Sequence, residues 1–433
     1  MKIQSLQLQG FRCFENIQVE FDPQLTVFTG VNGSGKTAVL EAIAVFTKAF
    51  MEKQHRPKSV FPAMNLKRTD VCAWRNHDEI QVSLKLIGDE TFSFVFGKDR
   101  NNPEQLSIIN PKNEFHAFLD RRWSNTDAQG TEIFTFYSAQ RCLPGNYKQV
   151  FSSGNDRDNV FEDAFSANIN FRASSEWFIR KSADQAIQAA KLKDFSHTIP
   201  EVEAVKNAVL GALNDEYDDI QVEVTTSQIK LRKKNTQNDY EINQLSDGYK
   251  TMLALVMDLA RRMAVANGEL YLKQEKSPLE SPAIVLIDEV ELHLHPSWQQ
   301  TVLPSLMRIF PNTQFVVTTH SPQVISSIEP KHIRILKAGK VLPVETSTYG
   351  AESARVLEEV FGVPVRGAAE VKEILDEYLK LINDGEGQSS NAKELRSKLD
   401  NWLFDDPILD KADMFIVRNA RRKEREEKSH AQA

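Results

Sequence analysis

Apolar residues fall at every second position in Ile80, Val82, Leu84 and Leu86, and again in Phe92, Phe94 and Phe96 after Gly88-Asp89. Side chains of a strand point to opposite faces in turn, so this spacing predicts a β-hairpin with one buried face. Residues 1–30 read as two or three strands joined by turns, and Ile133-Phe134-Thr135-Phe136-Tyr137 as another strand. Two later runs, the wholly apolar Ala283 to Ile287 and Gln314 to Thr319 with Phe315-Val316-Val317 at its centre, read as buried strands. A helix is expected between them, over about 297–310.

Elsewhere the period is helical. Val39, Ile43, Phe46 and Phe50 share one face, and Val202, Val205, Val209 and Leu213 another. The second stripe lies in a helical stretch, about 161–215, that reads as an arm inserted into the main domain and packed within the molecule. The polar, Gly/Asn/Asp-rich residues 145–160 before it predict a flexible loop. Ile220, Val222 and Val224, then Ile229 and Leu231, predict a second hairpin, with Arg232-Lys233-Lys234 at its solvated tip. An apolar helix follows from Leu245 to about Met263, and residues 350–433 are mostly helical, interrupted over Asn383 to Asn391. The expected divisions are an N-lobe (1–145), the arm (146–218), a C-lobe (219–345) and a helical C-terminal region (346–433).

Composition narrows the class. The chain has 433 residues, 41% hydrophobic and 26% charged, enough for a sizeable core in one large α/β domain with insertions or in several units. A net charge of −7 excludes a broad basic coat and leaves only local patches for nucleic acid. Three cysteines, Cys13, Cys72 and Cys142, are too widely spaced for a zinc knuckle and read as reduced thiols of a cytoplasmic protein. The N-terminus has no signal-peptide core, and no apolar run approaches the ~18 residues that span a bilayer.

The chemistry concentrates in three strand ends. Gly30-Val31-Asn32-Gly33-Ser34-Gly35-Lys36-Thr37 reads G-x-x-x-x-G-K-T between the apolar run Leu25 to Phe28 and a helical pattern. Glycines let backbone N–H groups turn onto phosphates, and the next helix points its positive end at them. Asn32, Gly33, Ser34, Gly35, Lys36, Thr37 and Ala38 would line that cradle, with Lys36 on the β/γ-phosphates and Thr37 on Mg²⁺. The strand Ile284 to Ile287 ends in Asp288-Glu289, which places two acids at the sheet's carboxyl edge. Asp288 would bind Mg²⁺, directly or through water, and Glu289 would polarise the attacking water. His320 ends the next strand and stands where a γ-phosphate sensor would. His293 and His295 would share a face on a strand, which invites a metal reading, yet no cysteine is near in the chain.

Leu245-Ser246-Asp247-Gly248-Tyr249-Lys250 resembles the signature motif of ABC-type ATPases, usually written LSGGQ, with Asp247 and Tyr249 departing from the transporter consensus. Residues 1–50 and 240–345 together resemble ABC-type AAA ATPases, which include RecF-like heads and the ATPase halves of the OLD and Gabija anti-phage nucleases. Asp247 to Leu255, and Leu292-His293-Leu294-His295-Pro296 with Trp298-Gln299-Gln300, resemble most the PtuA ATPases of Septu systems, some carried by retrons. The resemblance implies an α/β fold: an ABC-type P-loop ATPase head, its mixed β-sheet joined to N-terminal antiparallel strands, with the helical arm and C-terminal tail added. It implies ATP and Mg²⁺, and a homo-oligomer in which Ser246, Asp247, Gly248 and Tyr249 of one copy complete the ATP site of another. The segment from Glu291 to Pro296 resembles the D-loop that crosses such an interface. Gln140 resembles the Q-loop glutamine on Mg²⁺, with Arg141 as the alternative, and Arg12 resembles the basic residue near the nucleotide of RecF- and SMC-like heads.

The chain after residue 345 shows no Toprim pattern of clustered acids. The likeness to Septu therefore implies a separate HNH nuclease subunit, PtuB-like, and in retrons a reverse transcriptase with its RNA/DNA. The helical tail, with Trp402-Leu403-Phe404, would dock that partner or pack on its own head. A RecF-like DNA-binding ATPase and an ATP-stabilised scaffold remain the alternatives.

Overall fold

A computed structural model describes residues 1–55, 66–72, 79–88, 91–98, 105–110, 112–123, 130–139, 160–161, 163–165, 171–213, 216–223, 226, 228–236 and 238–430. Its strands are β1 (Ile3–Phe11), β2 (Phe14–Glu20), β3 (Leu25–Thr29), β4 (Leu66–Lys67), β5 (Ile80–Leu86), β6 (Thr91–Lys98), β7 (Gln105–Asn110), β8 (Ile133–Tyr137), β9 (Tyr217–Glu223), β10 (Gln228–Lys233), β11 (Asp239–Glu241), β12 (Ala283–Ile287), β13 (Thr313–Thr318), β14 (Ile333–Lys337) and β15 (Lys340–Pro343). Its helices are α1 (Lys36–His55), α2 (Lys112–Trp123), α3 (Phe171–Leu192), α4 (Pro200–Ala212), α5 (Asp247–Lys273), α6 (Pro296–Gln299), α7 (Val302–Ile309), α8 (Pro322–Ser326), α9 (Ser353–Glu359), α10 (Ala369–Asn383), α11 (Ser390–Trp402) and α12 (Pro407–His430).

The central sheet runs β15-β14-β3-β13-β12-β8. β14, β3, β13, β12 and β8 pair in parallel, and β15 closes one edge antiparallel to β14. Successive residues of β12 face opposite ways. Val285 and Ile287 enter a core shared with α4, α5 and α7, whereas Ile284 and Leu286 enter a second core shared with α1 and the N-terminal strands. That double burial explains why β12 reads as a continuous apolar run. The N-terminal sheet is antiparallel in the order β2-β1-β5-β6-β7-β4. The expected hairpin is β5–β6, with Val82 opposite Phe94 and Leu84 opposite Phe92.

A third sheet, β11-β10-β9, carries the second hairpin. At its tip Arg232 Nε donates to Asp239 Oδ1 at 3.1 Å, so part of the basic run is locally neutralised. α3 and α4, from the stretch read as an arm, pack on α5. Residues 140–159, which include the expected loop and Gln140, lie outside the described residues. The helix expected over about 297–310 is instead split into α6 and α7. Pro304 explains the break: in a continuous helix its ring would clash with the Gln300 carbonyl, whereas in the first turn of α7 it is tolerated.

The chain divides into two compact units, Met1–Phe361 and Gly362–Ala433. The second has its own small core on α10, α11 and α12, built from Leu375, Tyr378, Ile382, Leu395, Leu399 and Leu409.

α5 is apolar for most of its length but carries a buried ionic group at its centre. Asp258, 1% exposed, accepts from Arg262 Nε at 2.7 Å, Arg261 Nη2 at 3.2 Å, the Tyr137 hydroxyl at 3.0 Å and the Ser174 hydroxyl at 3.2 Å. Burial alone would raise the carboxyl; Arg262 and Arg261 outweigh it and hold it down at about 2. Its stabilising contribution is thus fully present above pH ~4 and lost as pH falls towards 2. Removing one partner of such a group leaves a buried charge uncompensated, at a cost of about 3–5 kcal/mol. Asp258→Ala is expected to lose about that much stability in urea unfolding, and a loss below ~1 kcal/mol would contradict the burial of the pair.

Candidate nucleotide-binding site

The phosphate-type loop leaves the fully buried β3 and enters α1 at Lys36. Two glycines are sterically required. A Cβ on Gly30 (φ +148°) would lie 2.3 Å from the Leu336 carbonyl oxygen, and one on Gly35 (φ +97°) 2.2 Å from the Phe14 ring. The loop is therefore clamped between β14 and the β1–β2 turn. Lys36 folds back over it, donating from Nζ to the Gly30 carbonyl at 3.0 Å and the Val31 carbonyl at 3.1 Å. Ser34 Oγ is buried with no hydrogen-bond partner among the described residues. An orphaned hydroxyl inside an N-terminal helical cradle, under a lysine, fits a phosphate oxygen.

The acidic strand end meets this loop. The Thr37 hydroxyl donates to Asp288 Oδ2 at 2.9 Å, and the Thr318 hydroxyl donates to Asp288 Oδ1 at 2.6 Å. The Asp288 N–H donates to the Tyr137 carbonyl at 2.8 Å, fixing its backbone to β8. Glu289 follows with a left-handed φ of +49°, and its N–H donates to Thr318 Oγ1 at 2.7 Å. A non-glycine residue in that region is strained, a feature that clusters at functional sites. His320 sits at the end of β13, half-buried, its N–H donating to Glu291 Oε1 at 2.5 Å.

Electrostatics favour a cation here. Burial lowers the Lys36 ammonium below its ordinary value, while Asp288, Glu289 and Glu291 push it back up. Three carboxylates thus surround one ammonium, and a divalent cation would offset the excess. Thr37 and Asp288 supply the hard oxygens that Mg²⁺ prefers, and Mg²⁺ sites of this kind take their other ligands from water and phosphate. Burial, then Lys36, lowers the His320 imidazole, against the pull of the same acids, so it favours the neutral form. Among the described residues no group of three or more His, Cys, Asp or Glu is placed to hold a metal ion, and His293 and His295 are in no such group.

The signature segment opens α5. Ser246 is its N-cap, exposed, with extended backbone and a hydroxyl that caps nothing in its own helix. Asp247 is exposed beside Lys250, 3.5 Å away. Gly248 packs on the segment His293–His295, where a Cβ would lie 2.9 Å from the His293 carbonyl oxygen. Tyr249 turns inward: its ring packs edge-on to Trp298 at 4.5 Å, and its hydroxyl donates to Glu216 at 2.7 Å. Burial and the Glu216 carboxylate push that phenol well above its usual range. The departure from the transporter consensus at Tyr249 is therefore an internal brace, and Ser246 and Asp247 form the exposed tip.

Arg12 occupies the β1–β2 turn with φ +50°. Its Nε donates to Asp70 at 2.9 Å and its guanidinium pairs with Glu41 on α1. The structure thus places Arg12 beside the helix that follows the phosphate loop, held by two carboxylates. Thr318, Tyr137, Glu291 and Glu216 were not singled out from the sequence. Thr318 had a faint signal, as a polar residue closing an apolar strand.

A phosphate-loop strand flanked in parallel by the acidic strand's neighbour, with a signature helix and a histidine-ended strand, defines an ABC-type P-loop ATPase head. Residues 25–326 match the family described as "AAA domain, putative AbiEii toxin, Type IV TA system", and the chain belongs to that family. It is 25% identical to the retron Ec83 probable ATPase of Escherichia coli, over 92% of this chain and 83% of that one. It is 24% identical to the Septu protein PtuA of Bacillus thuringiensis, over 88% of this chain and 89% of the relative. The DNA replication and repair protein RecF of Lactobacillus acidophilus is 23% identical, over 63% of this chain and 76% of its own. An SMC head domain from Thermotoga maritima superposes at a TM-score of 0.42 with 17% identity, covering 80% of this chain and 100% of that one; the fold is defined by the strand order above.

Gly35→Ala would force a methyl group into Phe14 and Cys13. It is expected to cost about 1–3 kcal/mol of stability and to abolish binding of a fluorescent ATP analogue. Unfolding and titration curves matching the parent's would show that the loop is not clamped as described.

Proposed function

We propose that this protein binds and hydrolyses ATP between two heads, and that the cycle controls a nuclease partner in an anti-phage system of the Septu or retron kind. The observation that carries the two-head reading is the exposed Ser246–Asp247 tip of α5. A helix N-terminus with free backbone donors suits an anion, and its own chain neither caps it with the Ser246 side chain nor buries it. The names of the retron and Septu relatives support the defence setting. A cytoplasmic location agrees with the described helices, none of which is long and apolar enough to cross a membrane.

Each residue then has a task. Lys36 and the loop N–H groups hold the phosphates, and Thr37 with Asp288 holds Mg²⁺, which supplies charge neutralisation at the phosphates when bound. Glu289 takes the proton of the attacking water, and neutral His320 offers a donor toward the terminal phosphate. Ser246 of the second copy closes the site from the other side. The nuclease would dock on the C-terminal unit, where Trp402 is 46% and Phe404 91% exposed.

Removing a general base typically costs ~10²–10⁴ in rate. Glu289→Gln is therefore expected to bind ATP, turn over ~10²-fold or more slowly and accumulate associated heads in sedimentation velocity. Near-normal turnover would remove Glu289 from its role. Lys36→Ala is expected to lose ATP binding itself. Co-purification of an HNH nuclease subunit, lost in Phe404→Asp, checks the partner. The RecF likeness favours a second reading, DNA binding; steeply salt-dependent, ATP-dependent DNA retention without a nuclease partner would select it.

A further inference from the structure

Tyr137 bonds in two directions. Its carbonyl oxygen accepts the Asp288 N–H at 2.8 Å, and its phenolic hydroxyl donates to Asp258 Oδ2 at 3.0 Å. One residue therefore joins, through its backbone, the strand end that carries the proposed Mg²⁺-binding acid and, through its side chain, the helix that carries Ser246.

The junction is rigid and dry. Tyr137 is 4% exposed, Asp258 1% and Arg262 2%. Arg262 also donates to the Val160 carbonyl, and Arg261 Nε donates to the Ser174 hydroxyl at 3.2 Å. The neighbouring positions on α5, Val256, Met257, Leu259 and Ala260, are buried and apolar. Apolar side chains of similar volume in place of such an ion pair often leave stability unchanged or higher. What the charged group adds is direction: its bonds fix the rotation and axial position of α5 against β8.

A second grip holds the start of the same helix. Gly248 rests on the His293 backbone and Tyr249 on Trp298, both in the segment that follows Asp288. From Asp247 to Asp258 the helix spans ~16 Å at about 1.5 Å per residue. The segment from Asp288 to Trp298 thus grips α5 at its tip directly, and at its middle through Tyr137.

We propose that Tyr137 is a positioning residue that ties the seating of Asp288 at a head's own nucleotide to the placement of the Ser246 end of α5, which is offered to the other head's nucleotide. The tie deepens the two-head reading and rests on it. Occupancy of one site then sets the geometry that its head presents to the second, and the two sites fill in a coupled way.

Tyr137→Phe removes one hydroxyl and keeps the ring. In the full-length Glu289→Gln background, affinity for mant-ATP is expected to stay within about twofold, while association driven by Mg²⁺ and ATP in sedimentation velocity weakens at least about fivefold. In the otherwise unaltered chain, kcat should fall with KM unchanged. Tyr137→Met, which also removes the hydroxyl and leaves Asp258 paired with Arg261 and Arg262, should weaken association likewise and gives the same reading should Tyr137→Phe fold poorly. Ser174→Ala trims the same network from α3 and should lower the melting temperature while leaving association intact. The tie is overturned if Tyr137→Phe associates as its parent does, or if Ser174→Ala weakens association as much, since the network would then be structural alone. A Glu289→Gln parent that stays monomeric with ATP overturns the two-head reading, and the tie with it.

Discussion

The carboxylate of Asp288 is the point on which the site is built. Its two oxygens are taken by Thr37 at the start of α1 and by Thr318 at the end of β13, and its N–H by Tyr137 at the end of β8. Three separate parts of the chain, 37, 137 and 318, are thereby brought to one residue, two at its side chain and one at its backbone. The parallel pairing of β8, β12 and β13 makes this possible, because it brings the carboxyl ends of all three to the same edge. β3, with the phosphate loop at its end, is the next strand in that sheet. Reversing any one of these strands would move its terminal residue to the opposite edge.

The same geometry explains why the central strands are buried along their whole length. β3, β12 and β13 have every residue buried, between one core under α5 and another under α1. Among the polar side chains inside these strands, Thr26 accepts the Asp22 N–H and Gln314 bonds to the Ile3 backbone, while Thr318 and Asp288 meet at the carboxyl ends. Burying a lone carboxylate is costly, and Asp288, at 4% exposed, is sustained by two hydroxyl donors and by the nearby Lys36 ammonium. Asp258 solves the equivalent problem inside α5 with two guanidinium groups.

How much of this was legible in the sequence depended on whether the determinant was local. The alternation over Ile80 to Phe96, the apolar runs ending at Asp288 and near His320, and the loop from Gly30 to Thr37 are local patterns, and the strands fall where they indicate. Period alone, however, ran one helix over about 297–310 through the break that Pro304 imposes in its first turn. Tyr249 looked like a degenerate signature residue; its partners Glu216 and Trp298 lie 33 residues before it and 49 after, and no local pattern reveals such a brace. The charged side chains of Asp258, Arg261 and Arg262 likewise looked like ordinary helix residues. Only the packing of α3 and β8 against α5 shows that they are buried. Arg12 was legible as a basic residue near the loop, while its two carboxylate partners, Glu41 and Asp70, were not.

The charge balance of the site bears on how occupancy is read out. Asp288, Glu289 and Glu291 stand around a single lysine whose own protonation is disfavoured by burial. Repulsion among the acids is held in check by fixed hydrogen bonds: Thr37 and Thr318 on Asp288, and the His320 N–H on Glu291. A bound divalent cation would relieve that repulsion, so its binding strengthens the folded arrangement by mass action, by about 2.7 kcal/mol at one hundred times the dissociation constant. The relief falls on the segment from Asp288 to Trp298, which also supports the start of α5 through Gly248 and Tyr249. On the two-head reading proposed above, that relief acts beside the exposed start of α5, the surface offered to a second copy, without any need for a large movement. Under that reading such a site suits a protein whose output is assembly, because the segment that begins at Asp288 also packs on the start of α5, where Ser246 is presented.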